Sequence, residues 1–153
     1  MMSSQLQILL LAMTPINELR GTIPVALGFY HLPVKEAFFY SVAGNMIPIF
    51  FILLLLPWIA NVLMKKFDKF NKFFTWLFER TRKKFYKKYS LYGDLALTIF
   101  VAVPLPLTGA WTGAIAAFLF GIPYWRALGL IFLGVLIAGL IITGLSAGVF
   151  TII

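Results

Sequence analysis

The chain has no cysteine, a single histidine (His31) and only five acidic residues among 153. Without cysteine, disulfides and thiolate metal sites are excluded, and the redox compartment leaves no mark on the sequence. One histidine cannot build a multi-histidine metal site, and no Ser-His-Asp triad is visible within one chain. With no nucleophile–base pair and no metal-ligand cluster, neither an enzyme nor a cofactor or metal site is expected. Charge is scarce altogether: 12% of residues are charged, against 61% hydrophobic and 17% aromatic. A soluble domain of this length cannot cover so much apolar surface with so few charges, so an integral membrane protein is expected. The N-terminus also lacks a basic n-region and an A-x-A-like cleavage site, and is expected to be mature protein rather than a signal peptide.

The net charge of +8 is local. Ten of the thirteen basic residues lie between Lys65 and Lys88, and the rest of the chain is neutral. Within residues 65–89, Phe67, Phe70, Phe74, Leu77, Phe78, Thr81 and Phe85 follow helical i, i+3, i+4 spacing. A basic amphipathic helix on the cytoplasmic leaflet (65–90) is expected, with Lys65, Lys66, Arg82, Lys83, Lys84, Lys87 and Lys88 at lipid headgroups. An aromatic face beside a membrane span argues against nucleic acid.

Two uncharged stretches, Ala37 to Met64 and Ala127 to Ile153, exceed the roughly 20 helical residues that cross a bilayer. Two other apolar regions are broken. Gln5 to Met13 and Thr22 to Tyr30 flank "PINELRGTIP"; Leu95 to Val103 and Ala110 to Phe120 flank "PLPLTG". Each piece is about half a membrane long at 1.5 Å per residue. Two half-helices either cross as one broken helix or return to their own side as a re-entrant hairpin. The positive-inside rule favours hairpins that enter from opposite faces and meet near the midplane.

An internal repeat points the same way. At an offset of 90 residues, Glu18 falls on Thr108, Thr22 on Thr112, Ala26 on Ala116, Pro33 on Pro123, Ala37 on Ala127 and Gly44 on Gly134. The expected fold is all-α. Its first repeat, 1–64, comprises a re-entrant hairpin (5–31) and a transmembrane helix (37–64). The second repeat, 91–153, comprises a hairpin (91–121) and a transmembrane helix (124–153), oriented in the opposite sense. Such inverted repeats are how many secondary transporters are built.

Ionised groups inside a bilayer are costly and are kept for partners or transported ions. At the first tip, Glu18 and Arg20, two residues apart, are expected to project together from a non-helical turn beside Asn17. Burial favours a neutral Glu18 and a nearby guanidinium favours the charged form, which suits a group that gains and loses a proton. Arg20 is equally suited to holding an anion by bidentate contact. Pro15, Gly21 and Pro24 are expected to shape this tip, and Pro104, Pro106, Gly109 and Gly113 the second one. There, Thr108 and Thr112 are placed to cap the following half-helix, with Trp111 packing the tip or stacking on a ligand. Asn45 either joins the site or satisfies the carbonyl that Pro48 leaves free. Asp94 reads as an interfacial helix cap and His31 as a surface residue.

"NELRGTIPVALG" and "YGDLALTIFVAVPLPLTGAWTGAIAAFLFG" resemble the putative small multidrug export protein family, a distant relative of the DedA/VTT membrane proteins. The resemblance implies two inverted re-entrant hairpins, each followed by a span, and it implies transport. Through the DedA-type relatives it also implies lipid handling. Glu18 and Arg20 match the first motif; Pro104, Pro106, Thr108, Gly109, Trp111 and Gly113 match the second. The expected function is a small proton-coupled secondary transporter or exporter in the plasma (inner) membrane, with a midplane site and a homodimeric state. One alternative is a flippase or scramblase for polyprenyl-phosphate or phospholipid, and another is a membrane scaffold without transport. The substrate, whether small molecule or lipid, is not readable.

Overall fold

The computed structural model describes residues 3–85, 90–104 and 108–152, and these are helical throughout except at the turns. Seven helices follow in order: α1 (Ser4–Ala12), α2 (Glu18–Gly28), α3 (Val34–Lys66), α4 (Asp68–Phe85), α5 (Ser90–Ala102), α6 (Ala110–Leu119) and α7 (Tyr124–Ile152). Two of them, α3 and α7, are long and apolar enough to cross a membrane. With its 33 residues α3 is about 50 Å long, well over a hydrocarbon core of about 30 Å.

The expected order, two short helices then one long one, occurs twice, with matching punctuation. At the offset of 90 residues, the end of α1 at Ala12 falls on the end of α5 at Ala102, and the start of α3 at Val34 on that of α7 at Tyr124. Pro33 and Pro123 precede the long helices, and each carbonyl accepts from the N–H four residues on. A proline there loses nothing, because the first N–H groups of a helix have no intrahelical partner. Before each proline the chain takes a left-handed residue, His31 (φ 50°) or Gly121 (φ 68°).

Each short pair folds back on itself and leans on its own long helix. In the first half, Tyr30 Oη donates to Gln7 Oε1 across the open end of the pair, and Gln5 Nε2 donates to Glu36 Oε2 (3.2 Å). Further along, a Cβ on Gly44 would lie 2.9 Å from that of Ala12. The order of these contacts makes α1 parallel to α3. In the second half, Arg126 Nε donates to Asp94 Oδ2 (2.8 Å), and a Cβ on Gly134 would lie 2.7 Å from that of Val101. Glycine is required at both crossings because backbone carbonyls, Leu9 and Thr98, crowd the same spot.

The long helices run antiparallel. Gly139 packs on Phe38, while at the other end Tyr124 stacks edge-on with Phe50. Each second short helix also packs on the long helix of the other half, α2 on α7 and α6 on α3. The resulting core joins Leu19, Ile23, Ile49, Val101, Ala114, Ile131 and Val135.

Three expectations need correction. Asp94 is not a helix cap: it lies one turn inside α5 and pairs with Arg126. The first turn is shorter than expected and spans residues 13–17, so Gly21 and Pro24 belong to α2 rather than to the tip. Thr22 Oγ1 donates to the Glu18 carbonyl within that helix. Finally, Lys65 and Lys66 form the last turn of α3, and the chain breaks at Phe67 (φ −136°, ψ 115°) before α4 begins. Arg82, Lys83 and Lys84 lie in α4; Lys87, Lys88 and Pro106 fall outside the described residues.

Candidate functional site where two helix pairs meet

The two tips touch, and the charged pair of the first is matched to the helix ends of the second. Glu18 starts α2 with φ 42°, a left-handed conformation that a bulky L-residue rarely adopts. Such a conformation persists only where its surroundings over-determine it, at a cost of about 1–3 kcal/mol. What holds it is the start of α6. The Trp111 N–H donates to Glu18 Oε1 (3.4 Å), and the carboxylate lies against the Cα of Gly109, where a Cβ would strike it. Gly109 itself has φ 139°, so both the space and the backbone there call for glycine.

Glu18 is buried, with 7% of its surface exposed, and it takes the anionic place at a helix N-terminus. Thr108 and Thr112 were expected to cap α6, but its cap residue is Gly109, which has no side chain to offer. Thr112 Oγ1 donates backwards to the Gly109 carbonyl (3.3 Å), and Thr108 Oγ1 donates to the Val103 carbonyl (2.8 Å).

Arg20 serves the opposite pole. Its Nη2 donates to Thr108 Oγ1 (2.9 Å) and to the Val103 carbonyl (3.4 Å), just past the C-terminal end of α5. A cation there complements the negative end of the α5 dipole. The expectation that Glu18 and Arg20 share one side of an extended turn is therefore corrected. They lie in the first turn of a helix and reach different helix ends of the other tip. That pairing was not legible in advance, since nothing in the sequence marks a backbone carbonyl as the partner of Arg20.

The remaining expected residues divide. Asn17 precedes α2 without capping it. Pro15 and Pro104 sit exposed at the two turns, and Gly113 packs on Val101. Trp111 contributes its backbone to Glu18, while its indole Nε1 is buried with no hydrogen-bond partner among the described residues. Asn45 is buried in α3, and its Oδ1 likewise lacks a partner. Ser41, one turn before it, was missed: its hydroxyl is buried and unpartnered too. Its signal was visible as a second polar residue four positions from Asn45 in an uncharged span. Among the described residues no group of His, Cys, Asp and Glu side chains is placed to hold a metal.

Residues 18–141 match the family model described as "Putative small multi-drug export protein". No curated protein and no solved structure matches the chain. The match covers most of the sequence and includes Glu18, Arg20 and the second tip, so the chain belongs to that family. The family is one of export proteins rather than an enzyme class, and together with the two long apolar helices it marks a membrane protein.

Proposed function

We propose that this member of the small multi-drug export family is a proton-coupled secondary transporter whose site lies where two re-entrant tips meet at the bilayer midplane. The observation that carries the reading is the interlock of Glu18 with the start of α6 and of Arg20 with the end of α5. Depth supports it as well. Gly44 and Gly134, which mark the level of the tips, each lie ten residues into a long helix, about 15 Å along its axis. That is half of a hydrocarbon core of about 30 Å.

In this reading the two halves form an inverted repeat, consistent with the antiparallel run of α3 and α7, and one half rocks against the other. A proton on Glu18 removes the charge that suits the N-terminus of α6, and the tips are then free to part. Arg20 keeps its charge and holds the end of α5 or an anionic group of the substrate. The basic helix α4 lies on the cytoplasmic leaflet of the inner membrane, with its lysines and arginines at lipid headgroups. The chain works as a homodimer, in which a second copy thickens the wall around the site.

The test is transport by the full chain in vesicles carrying an internal pH dye, with ethidium as the probe. Wild type is expected to move ethidium when a proton gradient is imposed, and Glu18→Gln to abolish coupled movement. Undiminished, gradient-dependent transport by Glu18→Gln would reject the role of Glu18.

A second reading, a lipid flippase, is favoured by one observation. Between α3 and α7 lies a laterally open apolar groove of about 600 Å³, lined by Phe38, Phe39, Met46, Trp125 and Phe132. An acyl or prenyl tail fits such a lining. Movement of a fluorescent phospholipid, in the absence of ethidium transport, would select this reading.

A further inference from the structure

We propose that the chain binds an alkali-metal cation at uncharged oxygens of α3, around Ser41, Gly44 and Asn45. Ser41 and Asn45 are 0% and 1% exposed, lie one helical turn apart, and leave Oγ and Oδ1 without partners among the described residues. Residues four apart on a helix share one face. Between them sits Gly44, whose carbonyl is denied its intrahelical partner because Pro48, four residues on, has no N–H. One stretch of a membrane-spanning helix thus presents three oxygens, two of them side-chain atoms that form no hydrogen bond among the described residues. Unsatisfied polar groups are costly in hydrocarbon, and a ligand that supplies positive charge relieves all three together.

The neighbouring helix adds to the case. The C-terminal end of α1 abuts this same turn, and the Leu9 carbonyl oxygen lies where a Cβ on Gly44 would strike it. The carbonyls of Leu9 and Leu10 share one donor, the Met13 N–H, at 3.3 and 3.2 Å. The spot is therefore rich in acceptors and faces the negative end of a half-helix dipole. In broken-helix transporters, freed carbonyls and half-helix C-termini are the groups that coordinate monovalent cations.

The other half provides the control. At the corresponding end of α5, the Val103 carbonyl already receives a cation, the Arg20 guanidinium. The repeat position of Arg20 in the second tip is Ala110, and at the end of α1 the Leu11 carbonyl accepts from the Thr14 hydroxyl (2.7 Å). The repeat positions of Ser41 and Asn45 are Ile131 and Val135, both buried and apolar. Where a guanidinium closes the helix end these two positions of the long helix are apolar, and where none does they carry hydrogen-bonding side chains. An alkali-metal ion is favoured over calcium or magnesium, whose sites draw on carboxylates, because none of these oxygens belongs to one.

Binding is read without any transport assay. Thermal unfolding of the purified full chain in detergent is followed in sodium, potassium or N-methylglucamine chloride at equal ionic strength. Wild type is expected to unfold at a higher temperature in sodium or potassium than in N-methylglucamine, with the difference between the two alkali ions giving the selectivity. Ser41→Ala and Asn45→Val, the latter taking the residue of the second half, are expected to lose that cation-dependent shift. A wild-type melting temperature indifferent to the cation would overturn the proposal and leave the oxygens hydrated. So would an equal shift in wild type and the double variant. The wild-type comparison alone decides the matter if the variants do not fold.

Discussion

The two halves share an architecture and divide the chemistry. Residues 4–66 and 90–152 repeat two short helices and a long one, with the same glycine crossing and the same proline before the long helix. At the outer level of each half a polar link ties the first short helix to the long one, Gln5 to Glu36 in one and Asp94 to Arg126 in the other. At the inner level the likeness ends. The first tip carries both charges, and the second offers only backbone, hydroxyls and an indole. The shared features are those that packing requires; the unshared ones lie where the halves face each other. A site between two repeats needs no symmetry of its own, since each half can bring what the other lacks.

Substitutions at the shared crossings should have the largest effects and should treat the halves alike. Gly44→Val and Gly134→Val would each drive a side chain into a backbone carbonyl, Leu9 or Thr98. Overpacking costs about 1–3 kcal/mol even where side chains can yield, and here the neighbours include backbone. Both variants are expected to lose folded protein, measured as monodisperse material after extraction. Folding by one and not the other would break the equivalence of the halves.

The interlock should respond next, and asymmetrically. Arg20→Ala removes the charged donor to Thr108 and Val103, for an expected loss of about 1.5–3 kcal/mol in denaturant unfolding. Glu18→Gln keeps the shape and loses the interaction of a charge with the α6 dipole, about 1 kcal/mol. Its effect on coupled transport should far exceed its effect on stability. The outer links should matter less: Arg126→Ala is expected to cost under about 1 kcal/mol, because the pair with Asp94 is partly solvated.

The left-handed positions are set apart by the sign of the effect rather than its size. Gly121→Ala forces a Cβ into the left-handed region at a cost of about 1–2 kcal/mol, and His31→Gly relieves a smaller strain. Opposite signs for the two in melting temperature are the expected result. Equal signs would show that the turns differ despite their matching backbone.

Much of the fold was legible because membrane constraints write themselves into composition. Uncharged runs longer than 25 residues marked α3 and α7, and the half-length runs marked the short helices. Helix boundaries at the first tip were not legible. Gly21 and Pro24 look like a turn, yet Pro24 sits inside α2, where packing against α3 and α7 outweighs the lost hydrogen bond. The candidate site was half legible. Glu18, Arg20 and Thr108 stood out as polar residues in apolar surroundings, whereas the partners of the charged pair are a carbonyl, an N–H and a bare Cα. Backbone groups have no letter in the sequence, so a site built on helix ends shows only the side chains that face them.

The spacing of the interlock also sets an order of events in biogenesis. The contacts from Arg20 and Glu18 reach 83, 88 and 93 residues ahead in the chain. At synthesis rates of about 5–20 residues per second, the first tip exists for roughly 4–18 s before its partner is made. Throughout that interval a carboxylate and a guanidinium must be sheltered by the insertion machinery, by water or by each other. The ten cations between Lys65 and Lys88 emerge within the same interval.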